Sequence, residues 1–505
     1  MSNGVLVIYT GGTIGSFPKD ERDPNSALVP LNKVELTKKG ENNKFYKMIP
    51  RYDTTEKKLY IDGHSLRVDF FPFEVPIDSS NLDLDAWKEI VSILRSEYDE
   101  YEGFVILHGT DTMVYTSSAL SFMIEDLNKP IVITGSQKPI GKTRSDAVQN
   151  LVTSIEVAGA KSMGTTVIPE VCIYFRNAII RGNRATKYSA SNFDAFSSPN
   201  FPPLGHADEY IVVNERLIRK GSERKMIVNS SYSPKVMYFT VAPGMDLRLL
   251  KTIINSKSLE GIVLLTYGTG NAPTIPKFIE AIDQAIQGGK VIVNITQCSE
   301  GEVEQGLYDV SVGLLASGVV SGLDMTREAA YTKLCYLLAT EVDKTVIADK
   351  MQINLRGELR QSVYNIHFNA GCVYGENESA VVEQQREMAG ELKLSPKNIE
   401  KAFLRILGVS QGIPRGRIMG KVYIDHDDAN EDTPEDIDTF LGRFEKANKW
   451  KMGDPKESII LPITEQARRY LDGTRKVKIT IVDSSSLELQ WEKMHIAIFT
   501  KADVA

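Results

Sequence analysis

The feature that most constrains the fold is an alternation of short apolar runs with helix-periodic segments. The apolar, β-branched runs are VDFFP (68–72), FVILHG (104–109), PIVIT (130–134) and VCIYF (171–175). Between them lie segments with the helical period, such as LDLDAWKEIVSIL, in which Trp87, Val91 and Leu94 share one face. Strands that alternate with helices in this way form a mainly parallel sheet. The sequence therefore predicts an α/β fold.

The same pattern divides the chain into regions. Charged, hairpin-like sequence interrupts it at 206–233, after which strand patterns resume at VMYFTV, GIVLLTY and KVIVNIT and a helical pair follows near 327–351. From about residue 361 the character of the sequence changes again. We predict an N-terminal α/β domain over 1–205, a linker or hairpin over 206–233, a second α/β domain over 234–360 and a small α/β module over 361–505.

Two helices and two strands are predicted in the last region. Ser395 and Pro396 precede IEKAFLRIL and Gly408, which is the order of an N-cap, a proline at the first helical position and a terminal glycine. Thr433 and Pro434 predict a second helix start by the same reasoning. The runs KVKITIVD and HIAIFT are predicted strands. The role of this module is not predicted by the sequence.

Composition argues against several classes of protein. The 505 residues are 42% hydrophobic and 25% charged, which is typical of a globular chain with about three domains of about 150 residues each. A net charge of −7 argues against a nucleic-acid partner and against an anionic membrane surface. The start MSNGVLVIYT lacks a signal-peptide pattern, and no run approaches the roughly 18 apolar residues of a membrane span. We therefore expect a cytoplasmic protein with neither nucleic-acid nor membrane partners.

Cysteine and metal chemistry have little support in the sequence. Cys172, Cys298, Cys335 and Cys372 are widely spaced, without a CxxC motif, which favours buried free thiols. No HExxH motif occurs among the six histidines. The acidic run DHDDANEDTPED lacks the glycine that a calcium loop needs at its sixth position. No metal site is predicted.

Two glycine-containing loops follow predicted strands. The first, TGGTIG, follows VLVIY at 5–9, and its glycines allow backbone N–H groups or a threonine oxygen to approach a ligand closely. The second, GSQKPIGKT at 135–143, is similar to a phosphate-binding P-loop. Five residues separate its glycines where a P-loop has four, and Pro139 removes an N–H donor. Nucleotide binding is therefore disfavoured.

A hydroxyl and a carboxylate follow the predicted strand FVILHG. Thr110 and Asp111 lie there, and open α/β sheets bind ligands outside the carboxyl ends of their strands. Thr13 is predicted at the same edge. Threonine is a poor nucleophile unless a base removes its proton, and a lysine of lowered pKa can be that base. These residue types favour a hydrolase with a hydroxyl nucleophile.

Four motifs stand in order at the ends of predicted strands. They are TGGTIGS (10–16), HGTDTM (108–113), TGSQKP (134–139) and RGNRATK (181–187). Together they resemble the bacterial cytoplasmic type I L-asparaginases of the asparaginase/glutaminase family, over roughly residues 1–360. The resemblance implies a two-domain fold with mainly parallel sheets, hydrolysis of L-asparagine to L-aspartate and ammonia without a cofactor, and a homodimer or homotetramer with sites between subunits.

The resemblance also implies catalytic residues. Thr13 matches the nucleophile, which forms a β-aspartyl ester with the substrate. Thr110, Asp111 and Lys187 match a second polar triad, in which the threonine and the lysine transfer protons. Structural alternatives exist for each position, because Thr13 and Asp111 could cap the segments that follow them and a lysine in a polar run is usually solvated.

Two residues match substrate-binding positions of the family, and two neighbours are lesser candidates. Asp111 matches the carboxylate that pairs with the α-ammonium of the substrate. Ser79, in the segment IDSSN, matches the hydroxyl that holds the α-carboxylate, with Asp78 and Ser80 as neighbouring candidates. The two serines precede a predicted helix and could also cap it.

One position near the nucleophile departs from the family pattern. Family members usually carry a tyrosine in the loop after TGGTIG, whereas the matching segment NSALVPL has Leu28 there. Tyr46, Tyr52 or Tyr60, from an apparent insertion at about 36–62, could replace the missing tyrosine.

Two other functions remain open. One is a regulatory amino-acid sensor, in which the missing tyrosine signals lost turnover and the segment 361–505 binds a partner. The other is the amidase component of a tRNA-dependent transamidation system, against which the acidic net charge argues. Release of ammonia from asparagine distinguishes turnover from binding alone.

Overall fold

The computed structural model describes residues 4–20, 22–23, 26–38, 43–305, 309–373, 378–385, 396–411, 416–448, 457–471, 476–484 and 489–501. It has an N-terminal region with a ten-stranded sheet, a second region with a four-stranded sheet, and a C-terminal module of two further sheets. The prediction of an α/β fold with mainly parallel sheets in the first two regions is confirmed.

The N-terminal region contains sixteen strands and five α-helices among its described residues. The strands are β1 (Val5–Gly11), β2 (Ser16–Pro18), β3 (Leu28–Pro30), β4 (Tyr52–Asp53), β5 (Lys58–Ile61), β6 (His64–Ile77), β7 (Gly103–Leu107), β8 (Ile124–Glu125), β9 (Ile131–Thr134), β10 (Val171–Phe175), β11 (Ala178–Arg181), β12 (Thr186–Lys187), β13 (Phe196–Ser197), β14 (Gly205–Ala207), β15 (Ile211–Val213) and β16 (Ile227–Val228). The helices are α1 (Lys33–Leu36), α2 (Leu84–Glu97), α3 (Met113–Met123), α4 (Ala147–Ala158) and α5 (Ala160–Met163).

The large sheet has the strand order β15-β14-β11-β10-β9-β7-β1-β6-β5-β4. Its central strands β10, β9, β7, β1 and β6 are parallel to one another. In β1, Leu6 and Ile8 pack in one apolar cluster with α2 and α3, whereas Val7 and Tyr9 pack on the opposite face in a cluster with α4. A strand covered on both faces needs apolar residues at every position, which explains its uninterrupted apolar run.

The second region is a smaller α/β unit. Its strands are β17 (Val236–Thr240), β18 (Gly261–Thr266), β19 (Val291–Thr296) and β20 (Val320–Ser321), and its helices are α6 (Leu247–Ile254), α7 (Pro276–Gln287), α8 (Asp309–Ser317), α9 (Arg327–Thr340) and α10 (Lys344–Met351). The four strands form one parallel sheet in chain order. Helix α9 lies against α3 of the N-terminal region, where the Ser118 and Thr332 hydroxyl oxygens are 2.7 Å apart.

The segment 206–233, predicted to be a linker or a hairpin, contains a hairpin in its first part and a connection towards the second region in its last part. Its first part forms β14 and β15, a hairpin that extends the large sheet next to β11. Its last part includes β16, which pairs with β8. The hairpin therefore belongs to the N-terminal sheet.

The C-terminal module is built from antiparallel strands. These are β21 (Gln361–Phe368), β22 (Gly371–Val373), β23 (Ser379–Glu383), β24 (Ile399–Gln411), β25 (Gly416–Ile424), β26 (Phe440–Asn448), β27 (Glu457–Pro462), β28 (Lys478–Asp483), β29 (Leu489–Trp491) and β30 (Lys493–Lys501), with one helix among the described residues, α11 (Thr464–Tyr470). One sheet has the order β21-β30-β24-β29-β22, with β27 also on β24, and the other has the order β23-β28-β25-β26. An apolar core contains residues from both sheets.

The two helices predicted in this module are wrong. The run IEKAFLRIL forms most of β24, in which the alternate residues Ala402, Leu404 and Ile406 are buried in the module core. Gly408 has a φ of 68° at a register shift between β24 and β27, so it marks a bulge and does not end a helix. The predicted cap Ser395 lies outside the described residues. The second predicted start, at Pro434, lies in a series of turns.

The cysteine prediction is only partly confirmed. Cys172 and Cys335 are buried, Cys372 is partly buried and Cys298 is exposed, so the prediction is wrong for Cys298. Within the described ranges, no three or more His, Cys, Asp or Glu side chains converge to hold a metal ion. None of the described helices has both the length and the apolar character needed to cross a bilayer.

Candidate active site

The predicted site residues lie at one edge of the large sheet. Thr13 follows β1, Ser79 follows β6 and Thr110 follows β7, and these three strands are adjacent and parallel. Because the carboxyl ends of parallel strands meet at the same edge, the three loops leave the sheet side by side. This is the edge where open α/β sheets bind ligands.

Two glycines allow these loops to touch. Gly12 has a φ of 82°, and a Cβ atom there would lie 2.5 Å from the backbone nitrogen of Gly109. A Cβ atom on Gly109 would overlap the Ser79 hydroxyl. Thr13 and Thr110 each directly follow one of the two glycines, so both chain segments leave from the same point of contact.

Thr110, Asp111 and Lys187 are joined by hydrogen bonds. The Lys187 ammonium donates to Thr110 Oγ1 at 2.9 Å and to Asp111 Oδ1 at 2.7 Å. The Lys187 side chain is only 14% exposed, whereas that of Asp111 is 65% exposed. Lys187 is therefore not a solvated surface lysine, and the Asp111 carboxylate has one side open to solvent.

The residues around Ser79 are placed differently from one another. Ser79 is buried against Gly109, and its carbonyl accepts a hydrogen bond from Thr112 Oγ1 at 2.8 Å. Asp78 and Ser80 are exposed, and the Ser80 backbone N–H donates to Asp78 Oδ1 at 2.9 Å. The Asp78 carboxylate thus caps the short turn after β6, so capping in this segment comes from Asp78.

A buried histidine holds the loop from behind. His108 Nδ1 lies 2.7 Å from the Gly109 carbonyl oxygen and Nε2 lies 2.9 Å from Thr116 Oγ1, which also accepts from Trp87 Nε1 at 2.9 Å. Because the Gly109 carbonyl oxygen can only accept, Nδ1 is the donor to it, and in the neutral ring Nε2 then accepts the Thr116 hydroxyl hydrogen. Burial lowers the pKa of His108 to about 4, so the ring is neutral at pH 7. His108 stands within the motif HGTDTM, but no role was predicted for it.

The loop similar to a P-loop is held by protein groups. Its backbone N–H groups at Gln137 and Lys138 donate to the two oxygens of Asp146, at 3.0 and 3.1 Å. A carboxylate therefore occupies donors that a phosphate would need. The Gln137 side chain contacts Thr110 Oγ1 at 3.5 Å and donates to the Asn192 carbonyl at 2.8 Å. Gln137 is a further neighbour of the triad that was not predicted from the sequence.

The tyrosines of the insertion have other partners. The Tyr46 and Tyr52 rings pack on Phe70, with centroids 4.8 and 5.7 Å apart, and Tyr52 Oη donates to the Val68 carbonyl at 3.0 Å. Tyr60 lies on β5, which pairs with the first residues of β6. The candidate site lies at the opposite end of β6. The structure of one chain therefore does not support the prediction that Tyr46, Tyr52 or Tyr60 replaces the missing tyrosine.

The tyrosine beneath the Thr13 turn is Tyr9. Its hydroxyl donates to the Gly15 carbonyl at 3.4 Å, and a Cβ atom on Gly15 would lie 2.5 Å from the ring. Burial raises the pKa of Tyr9, so the phenol stays protonated and cannot act as a base near neutral pH. Leu28 lies on β3 opposite Pro18 of β2 and is exposed.

The second region supports the segment that carries Lys187. Arg184 is 1% exposed, and its guanidinium binds Asp324 Oδ2 at 2.9 Å. Thr186 Oγ1 donates to Glu328 Oε1 at 3.0 Å, at the start of α9. The segment that leads into Lys187 is therefore held by residues distant in sequence.

Comparisons with known proteins agree with this architecture. The family model "Asparaginase, N-terminal" matches residues 4–219, and "Glutaminase/Asparaginase C-terminal domain" matches residues 235–351. L-asparaginase 1 of Escherichia coli (strain K12) is 37% identical over 355 residues, which are 70% of this chain and 97% of that protein. The crystal structure of L-asparaginase I from Vibrio cholerae O1 biovar eltor is similar with a TM-score of 0.61 and 35% identity, over 71% of this chain and 99% of that one.

A third relative is named for a different activity. It is a component of the glutamyl-tRNA(Gln) amidotransferase of Methanopyrus kandleri, 33% identical over 298 residues, which are 56% of this chain and 63% of that protein. Both family models end before β21, so the C-terminal module lies outside them. The coverage of the Escherichia coli protein is nearly complete, and the resemblance inferred from four motifs is confirmed: the chain belongs to the asparaginase/glutaminase family.

Proposed function

We propose that this chain hydrolyses L-asparagine to L-aspartate and ammonia through a threonine ester. The bonds from Lys187 to Thr110 and Asp111, beside the glycine contact from which Thr13 departs, are the observation that carries the proposal. The relatives named L-asparaginase, which this chain covers almost completely, support asparagine as the substrate. A hydroxyl, an amine and a carboxylate suffice for this chemistry, so no cofactor is required.

Substrate binding is assigned to the two ends of the amino-acid head group. The partly exposed Asp111 carboxylate pairs with the α-ammonium, and the Ser79 hydroxyl donates a hydrogen bond to the α-carboxylate, with Asp78 and Ser80 next to it. A head group fixed at both ends carries its side-chain amide toward Thr13. Positioning of this kind contributes about 7–11 kcal/mol toward lowering a barrier.

The proposed reaction has two steps. The Thr13 hydroxyl oxygen attacks the amide carbon, the C–N bond breaks, and the hydroxyl proton leaves on the ammonia. Thr110 and Lys187 carry that proton: the Lys187 ammonium passes a proton through the Thr110 hydroxyl to the leaving nitrogen, and the proton from Thr13 replaces it. Water then attacks the ester carbon, the bond between that carbon and Thr13 Oγ1 breaks, the water oxygen leaves in the side-chain carboxylate of aspartate, and a water proton restores the Thr13 hydroxyl.

Ammonia release tests the proposal. The parent chain is assayed with asparagine and with glutamine, and Lys187→Met is expected to lower kcat for asparagine by about 10²–10⁴-fold, the usual contribution of proton transfer. Lys235→Met is the matched control, because Lys235 forms an exposed pair with Glu260. Lys187→Met activity within threefold of the parent contradicts the proposed relay. A parent chain that binds asparagine without releasing ammonia is instead a sensor.

The amidase component of a tRNA-dependent system is a second candidate, favoured by the Methanopyrus kandleri relative. Such an enzyme delivers ammonia to a charged tRNA, whereas the net charge of −7 argues against nucleic-acid binding. An electrophoretic mobility-shift assay with total tRNA distinguishes the amidase component from the asparaginase. Binding at physiological salt favours the amidase component, and asparagine turnover without tRNA binding favours the asparaginase.

A homodimer or homotetramer is also proposed, because sites in the family form between subunits. Size-exclusion chromatography with light scattering measures the mass of the particle. Full asparagine turnover by a monomer contradicts this assembly.

A further inference from the structure

A buried arginine in the C-terminal module has no acidic partner among the described residues. Arg405 lies on β24, and its side chain is 8% exposed. The guanidinium carbon lies 5.9 Å from the centre of the Phe499 ring, and the buried Nε atom has no hydrogen-bond acceptor in the described part of the chain. A buried charge is costly unless it is paired, so this position needs a compensating group.

Arg405 belongs to a row of nitrogen-bearing side chains. In the antiparallel register Arg405 lies opposite His495 of β30, and His495 lies opposite His367 of β21. Directly opposed residues share one face of a sheet. The two imidazole centroids are 5.9 Å apart. This face is the one opposite the module core, because the alternate positions Leu404 and Ile406 are in that core.

Two cavities flank Arg405 between the module and the second region. The larger, of about 260 Å³, is lined by His367, His495 and residues of α10. The smaller, of about 160 Å³, is lined by Phe403, Phe499 and residues that follow β19. Arg405 and Gln305 line both cavities. Gln305 Nε2 is also buried without an acceptor in the described residues, so each of these two lining residues carries an unsatisfied donor.

The best-placed carboxylates of the cavities are bonded to other groups. Asp349 accepts hydrogen bonds from His367 Nε2 and Asn365 Nδ2, both at 3.1 Å. Glu302 pairs with Arg360 at 3.4 Å.

Two further carboxylates line the cavities. Glu304 is partly buried beside the smaller cavity, and Glu492 is exposed beside the larger one. Burial lowers the pKa of Arg405 to about 10, with no carboxylate raising it. Arg405 and Gln305 therefore line the cavities while the Arg405 Nε and Gln305 Nε2 atoms have no acceptor among the described residues.

We propose that Arg405 and Gln305 bind a small anion, with a carboxylate or phosphate group, between the second region and the module. A guanidinium offers two parallel N–H donors to such a group, and the Gln305 amide offers another. The larger cavity, of about 260 Å³, is slightly smaller than the lower end of the about 300–1,000 Å³ range of small-molecule sites and so suits a small anion. Because both regions supply a donor, a bound anion links the module to the second region. Anion binding here does not depend on the proposed asparagine hydrolysis.

Calorimetric titration of the full chain tests the proposed anion site. Inorganic phosphate and succinate are titrated at constant ionic strength, and neither carries the ammonium that Asp111 is proposed to bind. At least one is expected to bind saturably, and the one that binds identifies the group. Arg405→Met is expected to weaken its Kd by about tenfold or more, as for a lost charged hydrogen bond, and Gln305→Leu by less. Arg417→Met, which changes an exposed arginine of β25, leaves the Kd unchanged.

The same variants separate binding from a structural role. Without anion, Arg405→Met is expected to melt at the parental temperature or above it, because an uncompensated buried charge has been removed. A clear drop in the melting temperature of Arg405→Met shows that Arg405 makes a stabilising interaction within the protein, which contradicts an unpaired Arg405. Should Arg405→Met not fold, Gln305→Leu carries the test. The anion site is ruled out if neither probe binds saturably, or if the folded variants bind as tightly as the parent.

Discussion

Gly109 separates the loop that carries Thr13 from the loop that carries Ser79, and both loops contact it. A Cβ atom on Gly12 would lie only 2.5 Å from the Gly109 nitrogen, and a Cβ atom on Gly109 would overlap the Ser79 hydroxyl. The loops that carry the polar groups of the candidate site can therefore lie this close together because Gly12 and Gly109 have no side chains. A single methyl group tests how much that positioning contributes.

Gly109→Ala is expected to lower asparagine kcat/KM by at least about tenfold, since a displacement of about 1 Å in a site can cost 10²-fold. The cause is the displacement of the Ser79 hydroxyl by the new Cβ atom. Steady-state ammonia release measures the effect. Gly221→Ala is the matched control, because a Cβ atom there has its nearest contact at 3.5 Å. Equal activities of the two variants contradict the proposed role of the contact.

Motifs predicted the triad residues, but not their neighbours. Lys187 lies 76 residues from Asp111, and only the family resemblance connected them before the 2.7 Å bond was seen. His108 and Gln137 stood inside sequence motifs without a predicted role. The contact of Gln137 with Thr110 Oγ1 depends on how two separate loops meet, and the contact of His108 with Thr116 depends on how the β7 loop packs on α3. Spacing along the chain does not report either.

At the scale of elements, β24 shows how local signals are overridden. A serine, a proline and a terminal glycine around IEKAFLRIL predicted a helix, yet the period-two burial of Ala402, Leu404 and Ile406 fits a strand. Pairing with β27 and β30 decides the outcome, because strand preference depends on the neighbours that a segment finds. In contrast, α2 follows its sequence pattern, since Trp87, Val91 and Leu94 are all buried on one face.

The hydrogen-bonded series of Trp87, Thr116 and His108 joins α2, α3 and the end of β7. His108 is fully buried and neutral, with its pKa lowered to about 4 by burial, whereas an unfolded histidine has a pKa of about 6.5. Between about pH 4 and pH 6.5 this histidine is protonated in the unfolded chain but neutral in the folded protein. Stability from this group is therefore complete above pH 6.5 and decreases as the pH falls toward 4, by about 3 kcal/mol at most.

Thermal unfolding midpoints between pH 7 and pH 4 measure this effect. His108→Gln removes the titrating ring, so its midpoint is expected to fall less with decreasing pH than that of the parent. His206→Gln changes an exposed histidine of β14 and is expected to keep the parental pH dependence. If His108→Gln and the parent lose stability in parallel, proton uptake by His108 is not a determinant of acid stability.

At the scale of the whole molecule, one buried ion pair joins the N-terminal and second regions. Arg184 binds Asp324 Oδ2 at 2.9 Å and donates to the Glu358 carbonyl at 2.8 Å. Asp324 is fully buried and also accepts from Arg360 Nε at 3.0 Å. The strand that carries Lys187 begins two residues after Arg184, so this pair connects the candidate site to the second region.

Asp324→Asn is expected to destabilise the protein by about 3–5 kcal/mol, because Arg184 keeps its buried charge and loses the counter-charge. The expected drop in melting temperature is on the order of 10 °C. Differential scanning calorimetry measures it. Asp246→Asn is the control, since Asp246 forms an exposed pair with Arg248 and is expected to change stability by less than about 1 kcal/mol. Similar melting temperatures for both variants contradict the importance of the buried pair.

The order of the two family regions and their parallel sheets could be predicted because each strand has its own apolar run. The sheets of the module could not, since their strands pair across long stretches of sequence. Nor could the attachment of the module be predicted. Val363 and Ala497 of the module pack in the same apolar cluster as Leu334 of α9, a contact between segments that share no sequence pattern.

The proposed mechanism requires a covalent bond between Thr13 Oγ and the substrate acyl group. The most direct measurement is intact-protein mass spectrometry after acid quenching of the parent chain during asparagine turnover, with peptide mapping of the modified residue. The parent is expected to carry one additional aspartyl group on Thr13. Thr13→Ala is expected to carry none and to release ammonia more slowly by about 10³-fold or more. Thr252→Ala, an exposed change on α6, is expected to match the parent. Folded Thr13→Ala that releases ammonia at the parental rate, or an adduct on another residue, contradicts the mechanism.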